Sequence, residues 1–212
     1  MGKIPTDYVK KVYAGWLGKI IGIRLGAPVE TWTYERIQEQ YGEVDGYLVD
    51  YHDFAGDDDS NGPIFFVRAL EDYAGNGKIT PEHVGLTLLN YAPYEHGFFW
   101  FGGYGNSTEH TAYLNLLHGI LPPRSGSVAQ NGRTSAEQVG GQIFSDCWGF
   151  VCPDDPQLAA EYAHKAACVT HDGDGIYGGR FIAACISVAF SQQDIDEIVE
   201  AGLSVIPDDC TY

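Results

Sequence analysis

Residues 50–72 read DYHDFAGDDDSNGPIFFVRALED and place three consecutive carboxylates, Asp57, Asp58 and Asp59, in front of an apolar run. A proline at the first position of a helix has no intrahelical donor to lose, so Pro63 predicts a helix that begins nearby. The aspartates would then lie at or just before the N-terminus of that helix, where negative charge is favoured. We expect five of the following side chains to reach the interior: Ile64, Phe65, Val67, Arg68 and Leu70.

The run of three aspartates has two interpretations. Adjacent carboxylates repel one another, and one helix terminus offsets only part of this repulsion. A bound hard cation would offset more of it, because Mg²⁺ and Ca²⁺ prefer carboxylate oxygens as ligands. A solvated acidic loop that caps the helix accounts for the same residues, and the spacing alone does not decide between the two.

The composition limits the classes of function. With 212 residues, 44% of them hydrophobic, the chain can form one substantial core, and we expect a single domain over residues 1–212. The chain has 12 Lys and Arg against 29 Asp and Glu, a formal net charge of −17. Such a charge argues against nucleic acid as the main partner and is compatible with cation binding.

Helical periodicity and capping residues recur along the chain, and strand-like alternation is hard to find, so an all-α fold is expected. Helix starts are predicted at Asp7, Tyr34, Thr80, Ser107, Asp155, Ile176 and Ser191. The residues 121–133 are expected to form a polar, mobile loop, and a capping box at Thr134–Glu137 predicts one helix through Phe150. Glycines 15, 18, 22 and 26 in the first helix suggest that another backbone or a ligand approaches it closely.

The apolar segment Val12–Leu25 is interrupted by Lys19 and Arg24 and is too short to span a bilayer. The five cysteines are odd in number and show no CxxC spacing. We therefore expect a cytoplasmic protein with reduced cysteines and without a membrane partner.

Two further segments suggest contacts with a ligand. The loop Gly102–Asn106 could direct backbone N–H groups at a phosphate, which makes Gly103, Gly105 and Asn106 candidate substrate-binding residues, although simple loop flexibility explains the glycines equally well. His171 lies between Thr170 and an Asp-Gly-Asp-Gly turn, where a flexible backbone could bring the imidazole to a substrate. A GxSxG nucleophile and the spacing of zinc ligands are both missing from the sequence.

Four segments, in order along the chain, resemble motifs of one known family. They are GWLGKIIGIRLGAPVE (15–30), DDDS (57–60), GGQIFSDCWGFVCPDD (140–155) and AHKAACVTHDGDGIYGGRFIAA (163–184). The first is similar to an opening G-x-x-x-G-D-x-x-G-x-P-x-E helix and the second to a metal-binding Thr-Asp-Asp-Thr. The third and fourth resemble a central helix, a Thr-His turn and the small-residue helix after it. The chain thus resembles the ADP-ribosylglycohydrolase family, which includes the dinitrogenase-reductase-activating glycohydrolases.

The resemblance implies an all-α, single orthogonal multi-helix domain that binds two Mg²⁺ or Mn²⁺ ions and hydrolyses N- or O-glycosidic bonds to ADP-ribose. By resemblance, Asp57, Asp58 and Asp59 are metal ligands, Asp57 standing where the family usually has a Thr. Glu30 would orient or deprotonate a water molecule, and Glu30 and Asp58 are the expected catalytic residues. His171 would border the ribose.

The chain departs from the family pattern in three places. Lys19 or Ile20 replaces the usual Asp of the first helix, and Gln142–Asp146 stands in place of Asn-Gly-Ala-Ala-Met-Arg. After His171 there is no counterpart of the C-terminal Asp-x-Asp-Thr, which forms the other half of the metal site. Asp208-Asp209 looks like a helix start with no helix after it, so we expect a C-terminally truncated chain with half of the metal site.

Three functions are therefore considered. The first is a Mg²⁺-dependent hydrolase of glycosidic bonds to an ADP-ribose-like group, on a small molecule or attached to a protein, acting as a monomer or a homo-oligomer. The second is a degenerate relative that binds such a ligand without cleaving it. The third is an all-α structural or interaction protein whose acidic stretch is only a solvated cap, which would not be stabilised by divalent ions.

Overall fold

A computed structural model of the protein describes residues 4–50, 57–75, 78–92 and 103–211. Within these ranges the regular elements are helices, and the only β-type pairing is an isolated bridge between Tyr104 and Ser107. The predicted all-α fold is confirmed. The single-domain organisation over residues 1–212 stays a prediction.

The first five helices begin where capping residues predict, with one exception. Their bounds are α1 Tyr8–Gly26, α2 Tyr34–Tyr41, α3 Asp58–Tyr73, α4 Pro81–Tyr91 and α5 Thr108–Leu117. A short 3₁₀ helix, Ala27–Val29, follows α1. Thr33, Thr80 and Ser107 each accept a hydrogen bond from the backbone N–H three residues on, because a helix N-terminus leaves those donors unpaired.

The exception is α3, which begins at Asp58 and not at Pro63. Asp57 is its N-cap and forms a capping box with Ser60, so that Pro63 is an internal residue of the helix. Of the side chains predicted to be internal, Phe65, Val67 and Leu70 are partly buried and pack against the core. The side chains of Phe66 and Ala69 are buried, whereas Ile64, predicted to be internal, is 61% exposed. Arg68, also predicted to be internal, is exposed as well.

Helix bounds in the second half of the chain differ from the predicted ones: the helix predicted from Ile176 begins at Gly173, and the helix predicted from Ser191 begins at Ile195. The observed bounds are α6 Val128–Asn131, α7 Arg133–Ala136, α8 Gly140–Ile143, α9 Asp146–Val151, α10 Pro156–Ala167, α11 Gly173–Val188 and α12 Ile195–Leu203, with a 3₁₀ helix at Arg124–Gly126. The predicted loop 121–133 therefore contains two short helical segments. Ser125 is fully buried there, its hydroxyl donating to the Val169 carbonyl over 2.7 Å, so tertiary contacts order the segment.

The single helix predicted from Thr134 to Phe150 is likewise wrong. The chain forms three short helices instead, α7, α8 and α9. Of these, α8 packs directly against the start of α11. A Cβ atom on Gly141 would stand only 2.0 Å from the Gly175 carbonyl oxygen. This close approach of two backbones decides the local path of the chain, and a helical periodicity pattern does not reveal it.

The hydrophobic core lies among α3, α4, α9, α10 and α11. Phe66, Leu88, Trp148 and Ala163 are among its buried members, and α11 packs against α8, α9, α10 and α12. In contrast, none of the residues of α1, all of them described, is buried. Only Gly15 of its four glycines has a close described neighbour, the Phe150 ring; around the other three no described atom lies within 4 Å of an added Cβ.

All five cysteines are free in the described part of the chain. No helix in the described ranges is both long enough and apolar enough to cross a membrane. The cytoplasmic location and the homo-oligomeric state stay predictions.

Candidate active site

The acidic run lies at the N-terminus of α3. Asp57 caps the helix by accepting a hydrogen bond from the Ser60 backbone N–H over 2.9 Å, and the Ser60 hydroxyl accepts from the Asp57 N–H over 3.2 Å. Asp58 and Asp59 occupy the first turn, where the helix dipole favours their negative charge. Asp57 thus has a structural role that already uses one of its oxygens, and Asp58 and Asp59 are not needed as caps.

Asp59 has the most perturbed electrostatic environment of the three. Its pKa is raised to about 6, first because burial disfavours the charged carboxylate and second because Asp58 is close by. The positive charge of Lys19 opposes this rise, while Asp57 and Glu30 add to it. Several negative charges therefore act on one half-buried carboxylate, and a cation near Asp59 would be stabilised.

Glu30 is exposed and follows the 3₁₀ helix at the end of α1. Its charge contributes to the raised pKa of Asp59, which means that the two carboxylates lie within electrostatic range. The fold therefore brings the predicted catalytic residue of the first motif towards the acidic run of the second.

Glu109 is a buried carboxyl group that the sequence does not single out. It accepts hydrogen bonds from the hydroxyls of Thr108 over 2.6 Å and Ser107 over 3.4 Å. Burial raises the pKa of Glu109, and the charge of Asp58 raises it further. A glutamate in the first turn of a capped helix is usually exposed, so only the packing of α5 shows that Glu109 borders the acidic cluster.

Lys19 and Asp146 form a second, mostly buried feature. The Lys19 ammonium lies 3.0 Å from Asp146 Oδ2 and donates to the Ile143 carbonyl over 2.8 Å. Both residues line a cleft of about 390 Å³ together with Asp59 and Gln142. This cleft joins α1, the N-terminus of α3 and α8–α9, and it is the concave feature next to the acidic run.

His171 is fully buried, and its position differs from the expected flexible turn. Asp172 is the N-cap of α11, which begins at Gly173, and it also accepts from the Val128 backbone N–H over 2.9 Å. Burial lowers the pKa of His171 to about 3, so the ring is neutral. Its Nδ1 lies 2.7 Å from the Thr170 hydroxyl, whereas Nε2 has no hydrogen-bond partner among the described residues.

Gly140 separates His171 from Glu109. A Cβ atom on this glycine would stand 2.9 Å from His171 Nε2 and 3.2 Å from Glu109 Oε1. The absence of a side chain at Gly140 therefore lets a buried imidazole and a buried carboxyl group approach the same point. Together they form a buried polar pair, whose Glu109 member lies within electrostatic range of Asp58. The role of His171 as a ribose contact stays a prediction.

The glycine-rich loop is described only from residue 103 onward, and Gly102 lies outside the described residues. Gly103 and Gly105 have positive φ angles of 74° and 81°, which glycine adopts without strain. Gly105 and Asn106 are exposed, and the Gly105 N–H donates to the Thr111 hydroxyl over 2.8 Å. This N–H is already paired, so the predicted phosphate-binding role of the loop has no direct support from the hydrogen bonds.

The carboxylates provide the oxygen ligands that Mg²⁺ and Mn²⁺ require. Mg²⁺ commonly uses one or two carboxylates and completes its coordination with water or substrate oxygens. Asp58 and Asp59 suit such a site, since neither is needed as the helix cap. In the part of the chain that the structure describes, no three Asp, Glu, His or Cys side chains are grouped to hold an ion together. The residues therefore fit a two-carboxylate site and not a closed cage of protein ligands.

Comparison with known proteins supplies the family. No curated protein matches the chain. The model of one protein family, described as ADP-ribosylglycohydrolase, matches residues 4–212, nearly the whole sequence. All four motif segments lie within this match, and the all-α fold agrees with it. The chain belongs to the ADP-ribosylglycohydrolase family.

Proposed function

We propose that this chain hydrolyses an N- or O-glycosidic bond to an ADP-ribose group in a reaction that depends on Mg²⁺ or Mn²⁺. Family membership supports a glycohydrolase of the ADP-ribose type. The observation that carries the metal dependence is the half-buried Asp59, whose pKa of about 6 reflects burial and the neighbouring carboxylates. A divalent cation would relieve this repulsion, as the donor chemistry of the site allows.

Asp58 and Asp59 are the residues proposed to hold the cation. Asp57 is proposed as a contributor through the oxygen that does not cap α3. A bound divalent cation would polarise the ribose hydroxyls and lower the pKa of a water ligand. The helix N-terminus and the capping box between Asp57 and Ser60 keep the carboxylates in position before any ligand binds.

Glu30 is proposed to orient the attacking water and to accept its proton. Glu30 is an exposed carboxylate within electrostatic range of Asp59, and hydrolysis of a glycosidic bond needs such a base. On the substrate side, Gly103, Gly105 and Asn106 are proposed to contact the ligand. His171 and Glu109, both buried, are proposed to shape the floor of the site and not to transfer protons.

The proposed function predicts the effect of Asp58→Asn. The amide keeps the size of the side chain but removes one anionic ligand, so we expect Mg²⁺-dependent release of ADP-ribose from an ADP-ribosylated protein to fall at least about a hundredfold. The saturable rise in melting temperature that Mg²⁺ causes by mass action should also be lost.

Glu71→Gln is the matched control, because Glu71 is an exposed carboxylate at the other end of α3 that pairs only with Arg68 among the described side chains. It should leave both measurements unchanged. Full activity and an unchanged Mg²⁺ shift in Asp58→Asn would contradict the proposal.

A second candidate function is binding of an ADP-ribose-like ligand without hydrolysis. The specific observation in its favour is that the described residues group no three potential metal ligands. Stabilisation of the wild-type chain by ADP-ribose, together with no turnover at millimolar Mg²⁺, would support this alternative and exclude hydrolysis.

A further inference from the structure

The cleft beside the acidic run contains a lysine with unusually well-defined partners. Lys19 is on α1, a helix with no buried residue, yet its own side chain is only 14% exposed. Its ammonium group contacts Asp146 Oδ2 at 3.0 Å and the Ile143 carbonyl at 2.8 Å. The side chain of Asp146 is 10% exposed, so this ion pair is largely removed from solvent.

The partners of Asp146 fix the direction of this ion pair. Its Oδ1 accepts a hydrogen bond from the Cys147 N–H over 3.0 Å, which leaves Oδ2 to face Lys19. A buried carboxylate needs a counter-charge, because desolvation of an unpaired ion is costly. The lysine and the first turn of α9 therefore hold each other in a defined position.

The same cleft also contains a carboxylate of the acidic run. Asp59, Asp146 and Lys19 all line it. A positive charge thus lies where two carboxylates from different helices face one cleft.

We propose that the Lys19 ammonium group, held in place by Asp146, takes the position that a divalent cation would otherwise occupy next to Asp59. The site then binds fewer divalent ions than it would without this lysine. This inference deepens the proposed function, because it concerns how the same site takes up metal. It makes Lys19 a positioning residue and a determinant of metal stoichiometry, and it gives Asp146 the role of anchoring that charge.

A purely structural role of Lys19 predicts something different. Lys11, on the same helix, also donates to a distant backbone carbonyl, that of Phe190 over 2.6 Å, and pairs with Asp7 at 3.2 Å. Lys11 has no part in the cleft. If both lysines only fasten α1 to the rest of the chain, their removal should lower stability and leave the affinity for divalent ions unchanged.

The test is a titration of the purified chain with MgCl₂ at constant ionic strength, without substrate, followed by melting temperature and by calorimetry. In Lys19→Met, one positive charge is lost, and Asp59 and Asp146 become available as ligands for a divalent ion. We therefore expect Mg²⁺ to bind about tenfold tighter or at one additional site. Lys11→Met is the matched control and should bind Mg²⁺ as the wild type does. Lys19→Arg, which keeps the charge, should also retain the wild-type affinity.

Lys19→Gln provides a second variant if Lys19→Met does not fold. Its amide can still donate a hydrogen bond towards Asp146 but has no charge, and it should show the same tighter binding. Wild-type Mg²⁺ affinity and stoichiometry in the charge-free variant, as in Lys11→Met, would overturn the inference. Because the titration contains no substrate, this negative result would not bear on the proposed hydrolysis. Conversely, if the wild-type chain had no hydrolase activity, Lys19→Gln could still bind Mg²⁺ more tightly than the wild type.

Discussion

At the scale of single residues, His171 couples folding to pH. Its imidazole is fully buried, and burial lowers its pKa to about 3, against an ordinary value of 6.5. Between these two values the unfolded chain binds a proton that the folded chain does not bind, so the free energy of unfolding rises with pH. The contribution is fully present above about pH 6.5 and is lost as the pH falls towards 3.

We expect this contribution to change by up to about 1.4 kcal/mol per pH unit within that window. Asp59 acts in the opposite direction between its ordinary pKa of 3.8 and about 6, because its pKa is raised in the folded chain. The measurement is therefore a comparison of urea unfolding from pH 4 to pH 7 for the wild type and His171→Asn. The difference between the two should change with pH, and most of the slope due to His171 should disappear in the variant.

His118→Gln is the control, since His118 is exposed at the end of α5. It should not remove the slope that His171 contributes. The same slope in His171→Asn and in the wild type would show that the imidazole protonates freely in the folded chain, which its burial does not allow.

At the scale of helices, the contact between α8 and α11 determines the path of the chain around the site. We expect Gly141→Ala to lower the free energy of unfolding by about 3 kcal/mol, because its Cβ would stand 2.0 Å from the Gly175 carbonyl oxygen and one backbone would have to move. Gly22→Ala is the opposite case, since no described atom lies within 4 Å of its added Cβ. There the better helix propensity should stabilise α1 by up to about 1 kcal/mol.

Chemical denaturation of both variants measures whether Gly141→Ala lowers and Gly22→Ala raises the free energy of unfolding. Destabilisation of similar size in both would mean that α1 is packed against something at Gly22. A neutral Gly141→Ala would mean that α8 can move away from α11 without cost, and the helix break at Gly140 would then need another cause.

The helix boundaries show what the sequence can and cannot predict. The starts of α4, α5 and α10 were predictable because Thr80, Ser107 and Asp155 cap them through contacts within three residues. The start of α3 was misplaced because Pro63 suggested a first position, whereas the Asp57 capping box determines it. The break of the predicted helix 134–150 depends on α11, a partner distant in sequence, so no local pattern reveals it.

In the candidate site, too, some residues could be predicted from the sequence and others could not. The three aspartates were identifiable because a run of like charges is unusual in itself. Glu109 and the Lys19 contacts were not, because their significance comes from packing: Lys19 and its acceptor Ile143 are 124 positions apart in the chain. The loop 121–133 was expected to be mobile on composition, yet Ser125 is buried by a contact to Val169.

At the scale of the whole molecule, stability is unevenly distributed. The core among α3, α9, α10 and α11 buries large side chains such as Trp148, whereas α1 has none buried. What joins α1 to the core includes long-range polar contacts, among them Tyr8 to the Phe150 carbonyl over 2.8 Å and Lys19 to the Ile143 carbonyl. Because local opening is easiest where little apolar surface is buried, α1 should open without global unfolding.

Hydrogen exchange followed by mass spectrometry measures this difference. We expect the amides in the middle of α1 to exchange at least about a hundredfold faster than those of α11 at neutral pH. Lys19→Gln should accelerate amide exchange in α1 and leave the exchange rates of α11 unchanged, because the substitution weakens only the polar contacts that join α1 to the core. Equal protection of the two helices would show that α1 opens only with the whole molecule. Since α1 carries Lys19 and leads directly to Glu30, its opening would also separate two residues of the site from the acidic run.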